Sequence, residues 1–222
     1  MPYLALKTTL SPMQQSYVRK IYAAANALLG IINDILDFSK LEAGRLDMEN
    51  SEFSLEGILN NIASLVSQKA EEKGIEVLYG VDSNVPASLM GDPLRLGQVL
   101  TNLLNNAVKF TNSGEIIVSC TLDATLGERV RLRFMVKDTG IGMTQEQQSR
   151  LFTAFTQADN SITRRFGGTG LGLTITKRLI EPMDGPTPVL SEYSKRTPIP
   201  FTATFALPQY LTASTAPTRG NP

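Results

Sequence analysis

The chain has 222 residues, 42% hydrophobic and 19% charged, enough for one globular domain with a real core plus an accessory element. Lysine plus arginine balances aspartate plus glutamate at 21 each, so there is no electrostatic footprint for nucleic acid or an anionic membrane. Histidine is absent and Cys120 is the single cysteine, which excludes imidazole-based nucleophilic sites, His-ligated zinc and a disulfide framework within the chain. Any chemistry here must work by positioning and electrostatics. The lone cysteine suits a reducing compartment, no uninterrupted apolar run is long enough to span a bilayer, and Met1-Pro2-Tyr3 does not start a signal peptide. A cytoplasmic location without a membrane segment is expected.

In chain order, Pro2 to Thr9 reads as a short helical stump, and Ser11-Pro12 as an N-cap with proline in the first turn. Val18, Ile21, Ala25, Leu28, Ile32 and Ile35 then step by three and four as far as Leu41, with Gly44 able to end the helix. Such a helix is either half of a helical hairpin in a bundle or dimer, or an ordinary core helix. A new unit begins at Phe53-Ser54. Leu55, Ile58, Leu59, Ile62, Leu65 and Val66 mark a second amphipathic helix stopped by Gly74, and Ile75 to Val81 reads as a strand. Leu89-Met90 fits a very short strand before Asp92-Pro93 opens a third helix. Glu115 to Leu122 and Val130 to Val136 alternate around Leu126-Gly127-Glu128 as a hairpin. Residues 151–166 read as a candidate mobile loop, Phe201 to Leu207 alternates like a final strand, and the tail from Gln209 has a linker's composition. The order of elements predicts an α/β sandwich, a mixed sheet with helices on one face, behind a long leading helix.

The third helix is the informative one. Leu94, Leu96, Val99, Leu100, Leu103, Leu104, Ala107 and Val108 give it an apolar face, yet it carries Asn102, Asn105 and Asn106, poor helix formers. Asn102, Asn106 and Lys109 fall at i, i+4 and i+7 on one face. Two amide oxygens and an ammonium on one stripe suit a hard cation beside an anion; the plainer alternative is a solvated face. Downstream, Asp138-Thr-Gly-Ile-Gly-Met143 puts a carboxylate at a strand end. It could accept from an exocyclic amine while Gly140 and Gly142 admit a flat base and Phe110 offers a stacking face. Gly168-Thr-Gly170-Leu-Gly172 opens a helix with backbone N–H groups able to face phosphate. Each glycine turn alone is weak; it is neither a P-loop nor a dinucleotide fingerprint.

Together and in order, these segments resemble one family. Asn102-Leu-Leu-Asn-Asn106-Ala-Val-Lys-Phe-Thr111 looks like the N box and Asp138-Thr-Gly-Ile-Gly-Met143 like the G1 box of sensor histidine kinases. Leu151-Phe-Thr-Ala-Phe155 resembles their F box and Gly167-Gly-Thr-Gly-Leu-Gly172 their G2 box. Ser39-Lys40-Leu41-Glu42-Ala43-Gly44 and Gln157-Ala-Asp-Asn-Ser161 look most like the hybrid type of bacterial two-component systems. The resemblance implies a Bergerat-type ATP-binding fold. Residues 1–50 would be a partial dimerisation and phosphoacceptor hairpin, 51–208 the ATP-binding domain and 209–222 a linker.

By the same resemblance, Asn106 would ligate Mg²⁺ with Asn102 in support, Lys109 would contact phosphate, Phe110 would flank adenine and Asp138 would accept its amine. Gly140 and Gly142 would shape the purine pocket, and Gly168, Thr169, Gly170, Leu171 and Gly172 would meet the phosphates. Arg164 and Arg165 are candidates for the γ-phosphate, or belong to a solvated lid. In related ATPases a glutamate at the position resembling Asn102 activates water; an amide cannot, which favours transfer to a protein acceptor. The implied partners are ATP, a response-regulator receiver domain in cis or in trans, and a second copy through the hairpin, with the full-length protein tethered to a membrane through a sensor region.

Two departures stand out. The family's H box is expected just before Pro2, so the resemblance implies truncation after the phosphoacceptor, and a chain without histidine cannot phosphorylate itself on one. After Glu181, prolines at 182, 186 and 188 interrupt what is usually a turn and strand hairpin. The competing readings are a non-catalytic nucleotide-binding scaffold and a water-using ATPase of the same superfamily.

Overall fold

The computed structural model describes residues 2–43, 48–144, 146, 170–184 and 197–209. A four-residue helix α1 (Pro2–Ala5) precedes the long α2 (Pro12–Glu42), followed by β1 (Ser51–Phe53), α3 (Leu55–Glu71), β2 (Ile75–Val81), β3 (Leu89–Gly91) and α4 (Pro93–Phe110). Then come β4 (Gly114–Leu126), β5 (Arg129–Asp138), α5 (Gly172–Ile180), a 3₁₀ turn (Glu181–Met183) and β6 (Thr197–Ala206). The six strands form one sheet in the order β1-β3-β6-β5-β4-β2. Among the described residues only β2 and β4 run parallel, so the sheet is mixed as expected.

The core lies on one face of this sheet. Ile116, Val118 and Cys120 of β4, Leu132, Phe134 and Val136 of β5, and Ile199, Phe201, Ala203 and Phe205 of β6 point to the side covered by α3, α4 and α5. Phe134 and Phe201 are register partners whose rings stack at 4.8 Å between centroids. Burial and the nearby Asp82 charge push the Cys120 thiol up to about 12, which makes it an inert core group.

α2 starts as its sequence dictates. Gln14 N–H donates to the Ser11 hydroxyl at 3.3 Å and the Gln14 side chain accepts from Ser11 N–H at 2.9 Å, a complete capping box. The helix ends at Glu42 with Ala43 as its cap, just short of Gly44. Met13, Tyr17, Ile21, Leu28, Leu29, Ile32, Ile35 and Leu36 are exposed along it. Phe38, Leu41 and Met48, by contrast, pack against the core of the sandwich. Polar contacts fasten the same end: Gln98 donates to Asp37 at 2.7 Å, Arg95 donates to Gln98 at 3.0 Å, and Arg178 of α5 meets Glu42 at 3.0 Å.

Three expectations need amendment. No uninterrupted apolar run spans a bilayer, but averaged over 18 residues α2 is long and apolar enough to cross a membrane by length and composition alone. Its Asn26, Asn33, Asp34 and Asp37 break the run without outweighing the isoleucines and leucines around them. β1 is an additional strand; at three residues it is too short for alternation to reveal. β6 begins at Thr197 rather than Phe201 and includes Pro198 and Pro200. These prolines share one parity, so their missing N–H groups fall on one edge, and β3 pairs β6 only at Met90 and Ala206. Residues 185–196, where the other two prolines fall, lie outside the described residues, whereas Pro182 sits in the 3₁₀ turn that follows α5.

α4 is anchored at its start by Asp92, which is 4% exposed. One carboxylate oxygen accepts from Arg95 N–H at 2.9 Å as the N-cap, and the other accepts from Glu49 N–H at 3.0 Å. Asp92→Ala removes both acceptors and is expected to cost about 2–3 kcal/mol in denaturant unfolding. A loss below about 0.5 kcal/mol, the range of an ordinary surface change, would contradict this assignment.

Candidate nucleotide-binding site

Burial of Leu96, Val99, Leu100, Leu103, Leu104, Ala107 and Val108 fixes the rotation of α4, whereas Leu94, expected on the same apolar face, is exposed in the first turn. Asn102, Asn106, Lys109 and Phe110 are therefore left half-buried on its other side, on a single stripe. Asn102 Nδ2 donates to the Gly172 carbonyl at 3.2 Å, which joins α4 to the first residue of α5 and fixes which end of the amide is oxygen. Gly170, with a positive φ of 70°, leads into α5 through Leu171, which is buried. The Lys109 ammonium stands 4.9 Å from the centre of the Phe110 ring, and burial lowers its pKa.

At the other end of the stripe, α4 meets the turn that follows β5. Ile141 N–H donates to the Phe110 carbonyl at 3.3 Å. A Cβ on Gly140 would stand 2.6 Å from that carbonyl oxygen and 2.7 Å from Asp138 Oδ1, so only glycine fits. Gly142 adopts a positive φ of 71°. Asp138 is 8% exposed, and its Oδ1 accepts from Gly140 N–H at 2.8 Å. Desolvation raises its pKa, and the Gly140 hydrogen bond opposes this only in part.

The structure thus brings Asn102, Asn106, Lys109, Phe110, Asp138, Gly140, Gly142, Gly170, Leu171 and Gly172 to one side of the sandwich, around α4. Arg164, Arg165, Gly168 and Thr169, together with the segments 151–155 and 157–161, lie outside the described residues. One positioning residue escaped the motif reading. The Thr139 hydroxyl donates to the Glu115 carbonyl at 3.2 Å and accepts from Glu115 N–H at 3.0 Å, which pins the turn to the start of β4. Gly114 makes room for it, since a Cβ there would meet Thr139 Oγ1 at 2.3 Å. A glycine one residue ahead of an alternating strand was the only trace in the sequence. Among the described residues no group of three His, Cys, Asp or Glu could hold a metal. A cation at this site would rely on amide oxygens, phosphate and water, a donor set that suits Mg²⁺.

A mixed sheet with helices on one face, and an amide stripe running from a glycine turn to a strand-end carboxylate, defines a Bergerat-type α/β sandwich. Residues 91–209 match the family described as histidine kinase-, DNA gyrase B-, and HSP90-like ATPase, and residues 3–44 match the His Kinase A (phospho-acceptor) domain. The chain is 48% identical over 182 residues to the signal transduction histidine-protein kinase BarA of Escherichia coli K12, covering 82% of this chain and 20% of that protein. It is 44% identical over 191 residues to the hybrid signal transduction histidine kinase L of Dictyostelium discoideum, covering 86% of this chain and 11% of that one. The crystal structure of full-length ShkA in complex with AMPPNP superposes with a TM-score of 0.75 at 37% identity, over 94% of this chain and 42% of that chain. The chain belongs to the histidine kinase-like ATPase family, on its sensor histidine kinase branch, and spans about a fifth or less of the curated relatives it matches.

Because burial raises the pKa of Asp138 above that of the unfolded chain, its contribution to stability is full below the ordinary carboxylate range. That contribution is lost as pH rises through the raised value, so above it the ionised protein carries a desolvation cost. Asp138→Asn keeps the acceptor for Gly140 and removes the charge. Its thermal midpoint is expected to gain on that of the wild type as pH rises and to lose that gain on acidification; a difference between the two midpoints that does not change with pH would contradict the burial argument. Gly140→Ala is expected to destabilise by about 1–3 kcal/mol in denaturant unfolding through overlap with the Phe110 carbonyl, and a neutral result would contradict the close approach.

Proposed function

We propose that the chain is the ATP-binding phosphotransferase core of a sensor histidine kinase, which transfers the γ-phosphoryl group of ATP to a histidine outside this chain. The observation that carries the reading is α4 itself. Its polar stripe begins against α5 at Asn102 and ends against the Asp138 turn at Phe110. A purine placed at the turn would put its phosphates along the stripe. The co-crystallisation of ShkA with AMPPNP and the naming of BarA as a signal transduction histidine-protein kinase support it.

In this reading Asp138 accepts the adenine amine, and Phe110 with Gly140 and Gly142 bounds the purine. Asn106 with Asn102 would hold Mg²⁺, which would offset phosphate charge when bound. Lys109 faces phosphate, and the backbone of Gly168, Thr169, Gly170, Leu171 and Gly172 receives the remaining oxygens. On the family resemblance, Arg164 and Arg165 are assigned to the γ-phosphate. Phosphoryl transfer needs mainly such placement and charge neutralisation, and an amide at Asn102 supplies no base for water. We assign the boundaries as phosphoacceptor-type hairpin 1–50, catalytic domain 51–208 and linker 209–222. The exposed apolar seam of α2 fits a second copy of the chain, giving a homodimer in the cytoplasm, with a response-regulator receiver domain, in cis or in trans, taking the phosphoryl group onward.

Mixing this chain with a separate histidine-bearing hairpin and γ-labelled Mg-ATP is expected to yield acid-labile phosphohistidine on the hairpin. Asn106→Ala should reduce that yield by about a hundredfold or more. Normal ATP affinity with no phosphohistidine would leave a nucleotide-binding scaffold, and rapid phosphate release without any acceptor would indicate a water-using ATPase.

A further inference from the structure

Outside the motifs, one charged side chain reaches the machinery from behind. Lys73 lies in the turn between α3 and β2, ahead of α4 in sequence, and is part-buried. Its own backbone is fixed. Lys73 N–H donates to the Ala70 carbonyl at 3.1 Å, and Gly74, with a positive φ of 65°, returns its N–H to the Glu71 carbonyl at 3.0 Å. The ammonium donates to three carbonyl oxygens at once: Val108 at 2.6 Å, Lys109 at 3.1 Å and Thr111 at 3.1 Å. These belong to the last turn of α4, where carbonyls lack helical partners and the dipole favours a cation.

Residues 108–111 also join the two halves of the site. Phe110 lies between the Lys109 and Thr111 carbonyls that Lys73 holds, and its own carbonyl receives the Ile141 N–H that docks the turn after Asp138. The contacts of the Lys73 ammonium with backbone carbonyls place it behind the polar stripe, where it acts through Lys109 and Phe110. We infer that Lys73 is a positioning residue for nucleotide binding: by gathering the carbonyls of Val108, Lys109 and Thr111 it sets Lys109 and Phe110 against the Asp138 turn. This inference rests on the ATP-binding reading above.

The test measures affinity for a fluorescent ATP analogue with Mg²⁺ in wild type, Lys73→Met, Lys73→Arg and Lys69→Met, the last an exposed lysine in the final turn of α3. Thermal midpoints are recorded, and affinities are taken well below the lowest of them. The expected result is a loss of about tenfold for Lys73→Met, most of it restored by Lys73→Arg, with Lys69→Met equal to wild type. A lysine that only caps a helix would lower the midpoint of Lys73→Met and leave its affinity unchanged, and that outcome overturns the inference. If Lys73→Met does not fold, Lys73→Gln is judged by the same criterion. Absence of binding by the wild type would overturn the ATP-binding reading itself, whereas binding unchanged across all variants would overturn only the role of Lys73.

Discussion

The Phe110 carbonyl and the backbone of Gly140 approach so closely that no side-chain carbon fits between them. Everything at the site inherits its place from that contact. α4 supplies the amides and the ammonium, β5 supplies the carboxylate, and each is rigid through its own packing on the core. The hydrogen bond from Ile141 to Phe110, and the missing Cβ beside it, relate them. Thr139, bonded both ways to Glu115, holds the turn from the sheet side.

Energetically the site is a set of local sacrifices carried by a strong scaffold. Asn102, Asn105 and Asn106 weaken α4 as a helix, and seven buried apolar residues on its opposite face compensate. A carboxylate buried at the end of β5 is costly while unliganded, which is the usual tension between stability and function. The link to α2 is also polar and local: Asp37, Gln98 and Arg95 tie the long helix to the first half of α4, the helix that carries the site.

Much of this was legible beforehand, and the reasons are specific. Asp92-Pro93 with helical periodicity fixed the start of α4, strict alternation gave β4 and β5, and the stripe followed from the spacing of Asn102, Asn106 and Lys109. β1 was not visible because three residues carry no period, and β6 starts earlier than expected because prolines of one parity can line an edge. Lys73 was invisible for a deeper reason. In Glu71-Glu-Lys-Gly74 nothing separates a lysine that caps a distant helix from a solvated one, since its carbonyl partners lie 35 to 38 residues away. The Asn102 bond to Gly172 likewise exists only once α4 and α5 pack.

The central claim is that a purine and a metal-bound polyphosphate lie along α4 between the Asp138 turn and the start of α5. A crystal structure with a non-hydrolysable ATP analogue and Mn²⁺ tests it most directly. The account predicts the exocyclic amine of the purine within hydrogen-bond reach of Asp138 and an anomalous manganese peak beside the Asn106 amide. A nucleotide ordered elsewhere, or a manganese peak remote from the stripe, would contradict it.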